Sequence, residues 1–192
     1  MKKLLTALAI FGASATLVAA ASTETRMIEK GETAEFGKFT GVTLEGGGDL
    51  TIKHGDAYKV KNTSSKDAWK VEIEDDKLKL ICPKPCKDKK LEATITLPKL
   101  ETLVIAGGGK MDVSGNFPEV EKLAIVIVGG GYIDADAVPS EKAEVVITGG
   151  GNISVYAKDD LDVSIIGGGK VQYKGNPAID KSILGGGIVT KD

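Results

Sequence analysis

Arginine and histidine are almost absent from this 192-residue chain: Arg26 is the sole arginine and His54 the sole histidine. Proteins that read nucleic acid depend on basic patches and on arginine forks, so that class is excluded, and the run Lys84, Lys87, Lys89 and Lys90 reads as a solvated loop. One histidine also leaves zinc without its usual ligand set and removes the commonest general base. Aromatic residues make up only 5% of the chain and are scattered, so stacked platforms for sugars or bases are few. Long apolar runs are missing after the N-terminus, which leaves no candidate membrane span there.

The N-terminus itself is different. Lys2 and Lys3, then the apolar stretch Leu4–Val18, then small residues at Ala19–Ala21 match a secretory signal peptide over residues 1–20. Removing the two lysines takes the formal charge from −2 to −4. An exported protein sits in an oxidising compartment, where Cys82 and Cys86 in Cys-Pro-Lys-Pro-Cys read as a disulfide closing a short loop. With three residues between them, the pair does not match the redox C-x-x-C spacing.

Glycine, by contrast, is plentiful and ordered. Gly-Gly-Gly occurs at Gly46–Gly48, Gly107–Gly109, Gly129–Gly131, Gly149–Gly151, Gly167–Gly169 and Gly185–Gly187; the last five begin 22, 20, 18 and 18 residues apart. Two residues before each stand Leu44, Ile105, Ile127, Ile147, Ile165 and Ile183. Two residues after stand Leu50, Met111, Ile133, Ile153, Val171 and Val189. Apolar residues at even offsets are the period of a strand with one buried face, and recurrence at this interval marks a solenoid. Each unit therefore reads as strand, glycine corner, strand, polar loop, with loops at 114–118, 139–140, 158–160 and 175–177.

The corner glycines Gly47, Gly108, Gly130, Gly150, Gly168 and Gly186 are expected to supply bare backbone where successive strands stack, so Gly150→Val is expected to cost folding. A phosphate loop is the rival reading, but neither GGGK sequence, at Gly107–Lys110 or Gly167–Lys170, fits GxxxxGK[ST].

The fold class predicted is all-β: a right-handed parallel β-helix with Gly-Gly-Gly corners, preceded by an antiparallel β section. One domain spans 21–192, with antiparallel hairpins over about 53–98 and regular coils over about 99–192. Asp75-Asp76 is the expected hairpin turn, and coils of 18 to 22 residues fit either two or three faces. Lys181, Lys191 and Asp192 place charge where the apolar columns would continue, an expected protection of that edge.

These features together, from the signal peptide through Leu91-Glu-Ala-Thr-Ile-Thr-Leu-Pro98 and the triplets to Val171-Gln-Tyr-Lys-Gly-Asn-Pro177, resemble the GIN-domain family. The resemblance spans roughly Phe36 to Asp192. Here every corner is Gly-Gly-Gly, where that family more often shows Gly-Ser-Gly. The resemblance implies a β-helix similar to pectin-lyase-like proteins without their catalytic residues, and a role in adhesion or surface binding.

The function expected is a non-enzymatic, exported adhesion or binding module of the cell envelope, periplasmic or at the cell surface, presenting a solenoid face to a protein partner or glycan. No cofactor and no nucleic acid are expected; a homo-oligomer through the C-terminal edge is a further expectation. The alternatives are a polysaccharide lyase or hydrolase and a purely structural spacer. An enzyme would need facing carboxylates, and the outward residues three after each triplet are Thr51, Asp112, Asp134, Ser154, Gln172 and Thr190. Calcium candidates are Asp112, Asp134 and Asp136, with Asp159, Asp160 and Asp162 as a second group; the ion needs six to eight oxygens.

Overall fold

The computed structural model describes residues 24–64, 69–81 and 91–192. The expected signal peptide and the Cys82–Cys86 pair lie outside the described residues. Within them the protein is all-β, with no helix, and its strands form one mixed sheet of 14 strands that is not closed.

The first strands are short: β1 (Glu24–Ile28), β2 (Thr33–Glu35), β3 (Gly41–Gly46), β4 (Gly48–His54), β5 (Lys59–Asn62), β6 (Trp69–Glu74), β7 (Lys77–Ile81) and β8 (Leu91–Leu97). The later ones are longer: β9 (Thr102–Ser114), β10 (Val120–Gly149), β11 (Asn152–Gly167), β12 (Lys170–Lys174), β13 (Ala178–Gly185) and β14 (Ile188–Lys191).

From β9 onward every strand pairing among the described residues is parallel, and the triplets set the register. Gly46 pairs with Gly107, Gly107 with Gly129, and Gly149 with Gly167, which in turn pairs with Gly185. The Gly150 N–H donates to the Gly129 carbonyl at 2.9 Å, which continues the ladder between the two halves of β10. Inward columns follow from this alignment. Ile105, Ile127, Ile147 and Ile165 are buried, as are Met111, Ile133, Ile153 and Val171. β-Branched aliphatics fill these columns because they pack well on a pleated surface.

Two expectations change. The sequence 53–98 is not purely antiparallel: β7 lies parallel on β3, and β8 lies parallel on β4 while pairing antiparallel with β5. The β6–β7 hairpin does turn at Asp75-Asp76, both at positive φ (49° and 58°), the backbone of a tight hairpin turn. Further on, residues 139–140 and 158–160 are not loops. They lie inside β10 and β11, where register shifts at Ala135/Pro139 and Ser140/Lys142 absorb the extra residues. Ser140 is buried there, its hydroxyl donating to the Tyr156 carbonyl at 3.0 Å.

The three glycines of a triplet do different work. The first has positive φ in every triplet, between 99° and 126°. A Cβ on Gly167 would stand 2.3 Å from the Gly149 carbonyl oxygen, and one on Gly129 would stand 2.4 Å from that of Gly107. In the last four triplets the third glycine meets the preceding unit's inward isoleucine: a Cβ on Gly151 would lie 2.8 Å from Ile127, and on Gly169 2.7 Å from Ile147. The middle glycine has open space. A Cβ on Gly130, Gly150, Gly168 or Gly186 meets nothing within 4 Å, and on Gly47 or Gly108 it meets only a carbonyl oxygen at 3.4–3.5 Å, an ordinary contact. The expected folding cost of Gly150→Val is thus misplaced by one residue; the demand falls on the positions either side.

Candidate functional site

Outward residues alternate with the buried columns, so their positions are dictated by the same register. Three after the triplets, Thr51 pairs with Asp112, Asp112 with Asp134, Asp134 with Ser154, and Ser154 with Gln172, which pairs with Thr190. The sequence-level candidates Asp112 and Asp134 are therefore neighbours on adjacent strands, separated by the strand spacing of about 4.8 Å.

Their chemistry is that of an ion-paired surface. Lys110 Nζ lies 2.8 Å from Asp112 Oδ2, and Lys174 Nζ lies 2.8 Å from Asp136 Oδ2 and 3.7 Å from Asp192 Oδ2. The Asp136 N–H donates to Asp134 Oδ1 at 3.2 Å, a local turn bond. In the second acidic group, Asp162 Oδ2 lies 2.6 Å from Lys142 Nζ. The hydrogen bonds to Asp112, Asp136 and Asp162 raise the pKa values of Lys110, Lys174 and Lys142 respectively, so these ammonium groups stay charged. Among the described residues no three His, Cys, Asp or Glu side chains are grouped to hold a metal ion. Lysines stand beside three of the candidate carboxylates instead.

Beside this column, Lys110 Nζ lies 5.4 Å from the Tyr132 ring centroid, a cation–π contact on the outer surface. Tyr132 pairs in register with Lys110 and with Asn152. The result is a solvated strip of hydroxyl, amide, carboxylate, ammonium and phenol groups on a rigid backbone.

One polar cluster escaped the sequence reading because no motif announces it. The Asn62 side chain donates to the Ile28 carbonyl at 3.0 Å and accepts the Ser64 N–H at 2.9 Å. Ser64 Oγ accepts from Trp69 Nε1 at 2.8 Å and from the Glu92 N–H at 2.9 Å, and donates to the Glu92 carbonyl at 3.1 Å. This buried node ties β1, β5, β6 and β8 together. All its groups are satisfied, so it reads as structural.

Among the described residues no helix is long and apolar enough to cross a membrane. No curated protein is significantly similar to this chain. A crystal structure described as a putative adhesin from Bacteroides fragilis NCTC 9343 is similar to it, with 17% identity, a TM-score of 0.50, and coverage of 90% of this chain and 98% of that one. A second, described as a putative adhesin from Parabacteroides distasonis ATCC 8503, has 16% identity and a TM-score of 0.41 over 90% and 98% of the two chains. The first likeness supports the fold alone. The family described as "Putative auto-transporter adhesin, head GIN domain" matches residues 38–121 and 117–177, and since that covers most of the length, this chain belongs to the GIN-domain family.

Proposed function

We propose that this protein is a non-enzymatic binding module of the cell envelope, exported and wound as a right-handed parallel β-helix, which offers the side of its sheet to a protein partner or glycan. The observation that carries the reading is the in-register parallel ladder from Gly46 to Gly185, which turns each outward residue into one member of a straight column. Such columns make long, regular faces suited to extended ligands. Ion pairing supports the non-enzymatic part: Asp112 and Asp136 sit beside Lys110 and Lys174 on an open surface, whereas glycoside hydrolysis needs two carboxylates flanking one bond, one of them protonated. Family membership and the descriptions of the similar structures favour adhesion over catalysis.

The test pairs a glycan array and envelope pull-down with turnover assays on acidic polysaccharides. Saturable binding without product formation is expected. Release of unsaturated or reducing ends would overturn the reading, and absence of any ligand would leave the spacer alternative as the better account.

A further inference from the structure

We propose that the free sheet edge formed by β13 and β14 takes up an extended segment of a partner protein as an added strand, and that this segment carries a carboxylate between two apolar residues. The site lies at one end of the ladder, so it goes beyond the side-face reading and does not depend on it. Among the described residues β13 pairs with β11 alone and β14 with β12 alone. All eight residues of β13 are exposed.

The backbone of this edge is a template. On β14 the Ile188 and Asp192 N–H groups donate to the Gly169 and Tyr173 carbonyls, each at 2.9 Å. Successive residues of a strand aim their N–H and C=O groups to opposite sides, so Val189 and Lys191 present theirs to the open side. An unpaired row of this kind accepts another strand, and main-chain hydrogen bonds supply the affinity.

Side chains select which strand. The inward columns continue onto the edge as Ile179, Lys181 and Ile183 on β13 and as Val189 and Lys191 on β14. One rung in, Leu161, Val163, Ile165 and Val171 are buried, whereas Ile179 and Ile183 are 40% and 36% exposed. A further strand would cover both isoleucines, a favourable apolar burial. It would also cover Lys181 and Lys191. Neither has a carboxylate partner among the described residues; Lys191 Nζ has the Asn176 side-chain oxygen at 3.4 Å. Burying an ammonium group without a counter-charge is costly. A neutral or basic strand is therefore rejected, and a carboxylate laid over Lys181 offsets the cost. A second copy of this chain fails the same requirement, because the end-to-end register that sets Ile179 against Ile183 lays Lys181 on Lys181. The lysines thus exclude self-pairing and admit an acidic strand, so repulsion and attraction reside at the same positions.

Fluorescence anisotropy with the capped, labelled peptide Thr-Val-Thr-Glu-Thr-Val-Thr tests this. Its sequence reads the same in both directions, so it serves parallel and antiparallel addition alike. Saturable binding is expected, at least ~10-fold tighter than that of peptides with Gln or Lys in place of Glu. Lys181→Glu, at an exposed position, should keep the circular dichroism spectrum. It should weaken the glutamate peptide at least ~10-fold and strengthen the lysine peptide, a coupling expected of charges that meet. Lys30→Glu, in the turn after β1, should change neither. New amide-exchange protection on peptide binding should be confined to β13 and β14. No binding of the glutamate peptide up to ~1 mM would sink the proposal, as would equal binding of all the peptides. So would an effect of Lys30→Glu as large as that of Lys181→Glu, or protection elsewhere in the sheet. Loss of glycan or partner binding on the side face bears on the proposed function and leaves these readouts untouched.

Discussion

The residues before Pro98 and those after it reach the same kind of buried sheet by different means. After Pro98 the inward columns are almost entirely Ile, Val, Leu and Ala, the pairing is parallel throughout, and one register repeats. Before it, the core carries Phe36, Phe39 and Trp69, the pairing is mixed, and Asn62 and Ser64 are buried within a hydrogen-bonded node. A repeated unit needs no individual address, because its neighbour presents the same columns and the glycines hold the alignment. An irregular section must specify each meeting once, and directional hydrogen bonds do so. Sheet edges are a related contrast: Glu24 and Arg26 on β1 pair with Ile73 and Val71, while Lys181 pairs with Val163 and Lys191 with Tyr173. Charge occupies apolar columns at both margins, a known device against edge-to-edge association.

The largest break in this comparison should come from the first glycine of a triplet. Gly167→Ala forces a Cβ to within 2.3 Å of a backbone oxygen at a φ of 121°, and should cost about 3–5 kcal/mol in denaturant unfolding. Its control is Gly150→Ala, at an exposed and open position, which should change stability by less than about 1 kcal/mol and in the stabilising direction. Equal costs at the two sites would show that the triplet acts as a unit and not position by position.

In the irregular section, Ser64→Ala leaves the Trp69 indole N–H and the Glu92 N–H without their acceptor. We expect a loss of about 2–4 kcal/mol, with a changed tryptophan emission spectrum as the local signature. A loss below about 0.5 kcal/mol would mean that water substitutes for the hydroxyl.

The smallest effect concerns pH. Glu32 has its pKa lowered, first by the Glu29 backbone N–H and then by Arg26. A carboxylate lowered on folding contributes stability above its unfolded pKa, and that contribution disappears as pH falls through the folded value. Melting temperature followed from neutral pH down through the usual carboxylate range should therefore fall less steeply in Glu32→Gln than in the parent; identical slopes would remove Glu32 from the account.

Much of the repeat was legible in the residues themselves. Inward Ile and Val at even offsets, the triplet spacing and the Asp75-Asp76 turn all report local geometry, which side-chain periodicity and turn preference encode directly. The parallel partners of β7 and β8 were not legible, because an alternating strand has the same pattern whichever way its neighbour runs. Nor were the strand continuations through Pro139-Ser140 and Lys158–Asp160, where turn-forming residues are held in the ladder by register shifts.

At the candidate site, the sequence placed Asp112 and Asp134 in one outward column by counting from the triplets, and the structure agrees. It could not assign Lys110 to Asp112 or Lys174 to Asp136, since the second pair joins residues 38 positions apart. By itself, then, the sequence determined which face of each repeat strand is buried and at what interval the glycine corners recur. Only the tertiary structure decided which two glycines of each three are indispensable, because a missing Cβ matters where the backbone takes a positive φ or where a neighbouring carbonyl or apolar side chain already fills its place.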